Sequence, residues 1–136
     1  MPSNIDTINM YRSIGSFDEK NQSTDVGEES AKTVSYLKFY GGGKSSSFGV
    51  YNASPLNQEN LNPICHIKEY YIFFNNGNMI KSETFVSGDG RGFYYVEKLS
   101  ISKNGDTLVS ELRDKEKRVY VKQLIPKTWK QYKPNW

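Results

Sequence analysis

His66 and Cys65 are neighbours, and the chain has no other residue of either type. Together they suggest a nucleophile and its base. On a strand, adjacent side chains point to opposite faces, so only a loop conformation would let the two meet. His66 is read as a polar residue at a loop–strand junction. No Gly-x-Ser-x-Gly elbow offers a serine nucleophile instead. One His, one Cys and scattered carboxylates match neither a structural zinc spacing nor a calcium-binding loop. No metal or cofactor is therefore expected. Gly41-Gly42-Gly43-Lys44-Ser45 has some of the letters of a phosphate loop. That motif needs a glycine where Lys38 stands, and a helix where Ser45–Tyr51 has strand character. It is read as a hairpin turn.

Two places carry more information. Along Phe93–Ile101, alternate residues are Phe93, Tyr95, Glu97, Leu99 and Ile101. If that stripe faces the interior, Glu97 is a buried carboxylate in need of a partner. The plainer reading is a structural ion pair or a position at a rim. Arg118 and Tyr120 form the second place. They share one face of a strand, where guanidinium and phenol together could hold an anion. If Val119 and Val121 face inward instead, then Arg118, Tyr120 and Lys122 face solvent.

The elements that position these residues are short β-rich runs joined by Gly/Asn turns. Tyr70–Phe74 leads through Asn75-Asn76-Gly77-Asn78 into Met79–Val86. Leu99–Ser102 leads through Lys103-Asn104-Gly105-Asp106 into Thr107–Leu112. Such turns favour hairpins. Strands are also expected at Ile8–Phe17, Thr33–Tyr40, Ser45–Tyr51, Ile67–Phe74, Phe93–Ser102 and Arg118–Leu124. Asp18–Ala31 and Asn52–Pro63 are expected to be long loops. Pro126 stops the ladder, and Thr128–Tyr132 could form one helical turn. No segment carries a sustained helical period, which disfavours a parallel α/β fold. The fold expected is all-β: an antiparallel up-and-down barrel of about eight strands, with a β-sandwich as the alternative.

With 136 residues, one domain over 1–136 is expected, with a loose end at 1–7 and a tail at 125–136. No apolar run approaches the ~20 residues of a membrane span, and no signal peptide is visible. A soluble protein is expected, with its compartment and oligomeric state left open. The net charge of +3 hides an asymmetry: residues 1–31 carry −4 and residues 113–136 carry +6. A basic end with Tyr120, Trp129, Tyr132 and Trp136 interleaved resembles a single-strand nucleic-acid surface. Yet Trp129 and Trp136 lie beyond the last strand, where an aromatic more often caps the bottom of a barrel. Nucleic acid is thus a disfavoured partner.

Gly15-Ser16-Phe17 on the first strand and Arg118-Val119-Tyr120 on the last resemble motifs of the calycin group, the lipocalins and fatty-acid-binding proteins. The resemblance implies a lipocalin-like barrel whose Arg118 and Tyr120 point inward onto a ligand carboxylate. The expected function is non-catalytic binding of a small, largely apolar molecule, with Glu97, Arg118, Tyr120, Tyr95 and Tyr71 as ligand-binding residues. The alternative is a protein-interaction module of inhibitor or immunity type. An enzyme using Glu97 and Tyr95 is the third reading.

Overall fold

Eight antiparallel strands follow one another round a closed barrel in the order of the chain. They are β1 (Met10–Phe17), β2 (Thr33–Tyr40), β3 (Lys44–Tyr51), β4 (Ile67–Phe74), β5 (Met79–Gly88), β6 (Arg91–Ile101), β7 (Thr107–Glu111) and β8 (Lys117–Gln123). This computed structural model describes residues 5–18, 20, 33–51, 54–88, 91–111 and 116–136. The loop expected over Asp18–Ala31 falls almost wholly outside them. Among the described residues, no helix is long and apolar enough to cross a membrane.

Local chemistry sets the strand ends. At Asn75, Asn76 and Gly77 the backbone is left-handed, with φ of 56°, 60° and 82°. Short Asn side chains and glycine tolerate that region, which turns β4 tightly into β5. The Gly43 carbonyl accepts from the Tyr71 N–H at 2.8 Å. A Cβ on Gly43 would stand 3.1 Å from the Tyr71 carbonyl oxygen, so this turn needs glycine for space as well as for φ. β1 begins at Met10 and not at Ile8, because the Asp6 carboxylate caps a turn. It accepts from the N–H groups of Ile8 (2.7 Å) and Asn9 (2.8 Å). The β5–β6 hairpin extends to the pair Gly88↔Arg91, longer than the expected strands. The presumed loop Asn52–Pro63 contains a 3-10 turn at Gln58–Leu61, and a second follows at Pro63–Cys65. They are capped by Asn57 and Asn62. In place of the helical turn expected at Thr128–Tyr132, the Trp129 N–H closes a turn onto the Pro126 carbonyl.

Alternation along closed strands splits the side chains into an interior and an exterior set. The lower half of the interior is filled by Tyr11, Leu37, Phe39, Tyr71, Ile80, Leu99, Leu108 and Tyr120, with Ile5 packed against them. The expected loose N-terminus is thus anchored from Ile5 onward. The Tyr11 hydroxyl donates to the Gly105 carbonyl (2.6 Å) and accepts from the Asp6 N–H (3.0 Å). Lys122 pairs with both Asp6 and Asp106, each at 3.2 Å. Burial favours a neutral Asp6, but hydrogen bonds from Asn9, Ile8 and Lys122 together outweigh it and lower its pKa to about 2.

A second apolar cluster lies outside the barrel wall. Met10, Tyr36, Leu61 and Ile125 pack there, with Phe48, Trp129 and Tyr132 against them. The Gln58–Cys65 turns and the chain after β8 cover this face. The tail is pinned by Ile125 N–H to Asn9 Oδ1 (2.8 Å) and by Trp136 Nε1–H to the Glu69 carbonyl (3.2 Å). Trp129 and Trp136 therefore cover the wall and do not plug the bottom. On the same outward face of β2 lies Lys38, 2 % exposed, whose Nζ donates to the carbonyls of Thr7 and Ile8 in the segment before β1. Desolvation lowers its pKa to about 8, against the pull of Asp6.

The Tyr11 hydroxyl bonds make a direct test of this bottom closure. Tyr11→Phe leaves a buried carbonyl and the Asp6 N–H without that partner. It should cost about 1–3 kcal/mol, measured by urea unfolding with the β-sheet circular dichroism unchanged. An unaltered midpoint would mean that the closure does not depend on Tyr11.

Candidate ligand chamber

The upper half of the barrel, at the Phe17, Tyr51 and Ile67 ends of the strands, is hollow. A cavity of about 1030 Å³ opens there. Its walls come from β2, β3, β4, β5, β6 and β8, and its mouth from the segment that holds the two 3-10 turns. Register explains which side chains enter it. Glu69 on β4 lies opposite Thr84 on β5, and Thr84 lies opposite Tyr95 on β6. One step deeper, Ser82 faces Glu97. Ser110 on β7 lies opposite Arg118 on β8, and Tyr120 follows two residues on.

Glu69, Thr84, Tyr95, Glu97, Arg118 and Tyr120 thus line one chamber. Four of the five residues expected to bind a ligand meet in it: Glu97, Arg118, Tyr120 and Tyr95. Tyr71 does not line it. It lies in the packed half below, its ring edge-on to Phe39 and its hydroxyl donating to the Tyr40 carbonyl at 2.6 Å. The inward turn of Arg118 and Tyr120 follows from alternation along β8, where Tyr120 lies opposite Leu108 and Arg118 opposite Ser110, both buried. A bulge in β1 between Ser13 and Gly15, with Gly15 at φ 133°, keeps the neighbouring strand in step, so that Ser13 opposes Tyr120 and Ser16 opposes Arg118. Val119 and Val121 face outward.

Glu69 was not among the expected site residues, and it is the most perturbed carboxyl here. Burial pushes its pKa from 4.5 up to about 7, with the nearby Glu97 adding to the rise. The hydroxyls of Thr84 and Ser45 work the other way. Thr84 Oγ1–H donates to Glu69 Oε2 at 2.8 Å. Burial also raises Glu97, and Ser110 and Arg118 pull it partly back. Burial opposes the charge of Arg118, but its bond to Tyr120 and the fields of Tyr120, Glu97 and Tyr95 outweigh that and keep it protonated. No ion pair within 4.0 Å joins Arg118 to either glutamate among the described residues. The buried hydroxyls of Ser45 and Ser110 lie beside Glu69 and Glu97, near enough to ease ionisation. Neither meets full hydrogen-bond geometry.

Cys65 and His66 stand at the mouth. Cys65 is exposed and free. The His66 ring is committed elsewhere: Nδ1 meets Ser46 Oγ at 2.9 Å and Nε2 meets the Asn60 carbonyl at 2.8 Å. A carbonyl only accepts, so Nε2 carries the proton and Nδ1 accepts from Ser46. The ring also stacks on Phe48 at 4.2 Å. His66 therefore fastens the mouth segment to β3, and burial holds its pKa below 6.5. Among the described residues no group of three or more His, Cys, Asp or Glu could hold a metal ion.

The chain matches no protein-family model, no curated protein and no solved structure. The closed eight-stranded barrel is compatible with a calycin-like architecture, and the chemistry must be argued from the chamber itself.

The Glu69 pKa gives a signed expectation. Its folded value exceeds the ordinary 4.5, so between pH 4.5 and about 7 the folded chain holds more protons than the unfolded one. Stability contributed by this group is full below 4.5 and declines as pH rises toward 7. Glu69→Gln should therefore raise stability at pH 8 by on the order of 2–3 kcal/mol and change it little at pH 4.5. Thermal melts at the two pH values would measure this, and an equal effect at both would show that Glu69 is not proton-linked.

Proposed function

We propose that this protein is a non-catalytic carrier or receptor for one small molecule, held in the upper chamber of the barrel. The observation that supports it is the contrast between the two halves of the interior. The lower half is packed with large apolar side chains. The upper half is left open, and polar groups from four strands converge in it. Pockets that combine enclosure with a few placed polar groups are the usual form of a small-molecule site. Eight-stranded barrels can be filled by their own side chains or can hold one ligand, and the packing here divides between the two. The polar floor refines the expected ligand from largely apolar to amphipathic. Its apolar part would lie toward the mouth, beside Ile64 and Ile67, which are 69 % and 56 % exposed.

A saturable rise in Nile red fluorescence is expected with the wild-type chain. Ser47→Trp, which sets a large ring on the inner face of β3, should abolish it without loss of β-sheet signal. Native mass spectrometry of the purified chain should show a small-molecule adduct that the same variant lacks. Equal dye binding by both proteins, with no adduct on either, would remove the chamber as a site.

The outer wall favours a second reading, a surface for another protein. Tyr70, Ile72, Phe85, Tyr94 and Val96 are all more than 40 % exposed on the outward faces of β4, β5 and β6. The Phe85 ring lies over Gly92, where a Cβ would stand 2.2 Å from it, and meets Tyr94 edge-on at 5.4 Å. Larger exposed apolar patches often mark interaction sites. Here Lys81, Glu83 and Lys98 are interleaved, which weakens the patch.

A further inference from the structure

The chemistry of the chamber floor narrows the ligand, on the reading that the chamber binds one. Two carboxyls, Glu69 and Glu97, face the space from β4 and β6, and one guanidinium, Arg118, faces it from β8. Among the described residues none of them is consumed by an ion pair within 4.0 Å. With Thr84 from β5 and Tyr120 from β8 beside them, the floor presents donors and acceptors to the space from four strands.

A ligand carboxylate would meet Arg118 and Tyr120 but would bring a third anionic group beside two carboxyls. A ligand ammonium would meet the carboxyls but face Arg118. A head that is neutral, and that donates and accepts at several neighbouring atoms, conflicts with none of them. It can donate to Glu69 and Glu97 and accept from Arg118 and Tyr120. Tyr95, on the inner face of β6 at the same level as Glu69 and Thr84, offers a ring for the carbon face of such a head. The apolar collar of Ile64 and Ile67 at the mouth suits an attached hydrocarbon tail.

We infer that the chamber takes a neutral polyhydroxylated head, of the kind a sugar ring presents, carried on an apolar tail, and not the carboxylate end of a fatty acid. The raised pKa of Glu69 agrees with this, since a partly protonated carboxyl can also donate to a hydroxyl.

The test holds the tail constant and changes the head: octyl glucoside below its micelle concentration, octanoate and octylamine, each titrated calorimetrically into the full chain at pH 7. The glucoside should bind about tenfold tighter than the other two, the equivalent of one or two retained hydrogen bonds. Glu97→Gln and Arg118→Met should each weaken the glucoside about tenfold with the β-sheet circular dichroism unchanged. Octanoate binding tightest would overturn the head-group assignment in favour of an anion. Octylamine binding tightest would overturn it in favour of a cation. In either case, loss of that binding in Ser47→Trp would preserve the chamber as a site. If no probe binds the wild-type chain, both the head-group assignment and the chamber reading fall together.

Discussion

The pairing of β1 with β8 is the constraint on which the rest depends. It joins the first strand to the last through seven residue pairs, from Met10↔Gln123 to Phe17↔Lys117. Without it the eight strands would be a twisted sheet with two open edges, and the distinction between inside and outside would not exist. Closure converts the two-residue period of each strand into a sorting rule. Leu99 and Glu97 enter the same interior because they are two residues apart. On β8 the rule turns Tyr120 and Arg118 inward, opposite Leu108 and Ser110 of β7. Moving that register by one residue would send Arg118 and Tyr120 to solvent and bring Val119 and Val121 in.

Much of this was legible in the chain, and the reasons differ from residue to residue. Turn chemistry at Asn75-Asn76-Gly77 and Lys103-Asn104-Gly105 is local, so the hairpins could be read directly. Glu97 stood out as one charge in an apolar stripe. The same signal existed for Glu69, in Ile67, Glu69, Tyr71 and Phe73, and would have pointed to the chamber's second carboxyl. Tyr71 shares the inward face of β4 with Glu69 but lies below the chamber, and alternation gives the face of a residue and not its depth, which depends on barrel tilt. Lys38 and the covering of Tyr36 and Phe48 could not be read at all. A pattern that looks solvent-facing on β2 is buried by segments more than twenty and eighty residues away in the chain, at Leu61 and Ile125.

That external covering bears on how the chamber can exist. A barrel half filled forgoes apolar burial in its upper half and instead exposes partly desolvated carboxyls, each of which opposes folding while it is charged. The second cluster on the outer wall offsets this. It buries Met10, Tyr36, Leu61 and Ile125 against β1 and β2 from the other side, so those strands are packed on both faces. The stabilising contacts lie where no ligand has to pass.

The same covering also shapes the mouth. Gln58 accepts from the Lys130 N–H at 3.1 Å, and Glu59 accepts from the Tyr132 hydroxyl at 3.2 Å. His66 ties the segment to Ser46 and to Asn60. Residues 58–66 are therefore held from the tail on one side and from β3 on the other, while Ile64 and Ile67 remain free toward the cavity. On the proposed carrier reading, a mouth fixed in this way would lose little conformational entropy on binding, and a few floor contacts would carry the selectivity. The division of labour follows from sequence order. Residues 58–66 and the chain after β8 build an outer frame, and the inward positions of β4, β6 and β8 around the cavity, released from the work of packing, can carry charge.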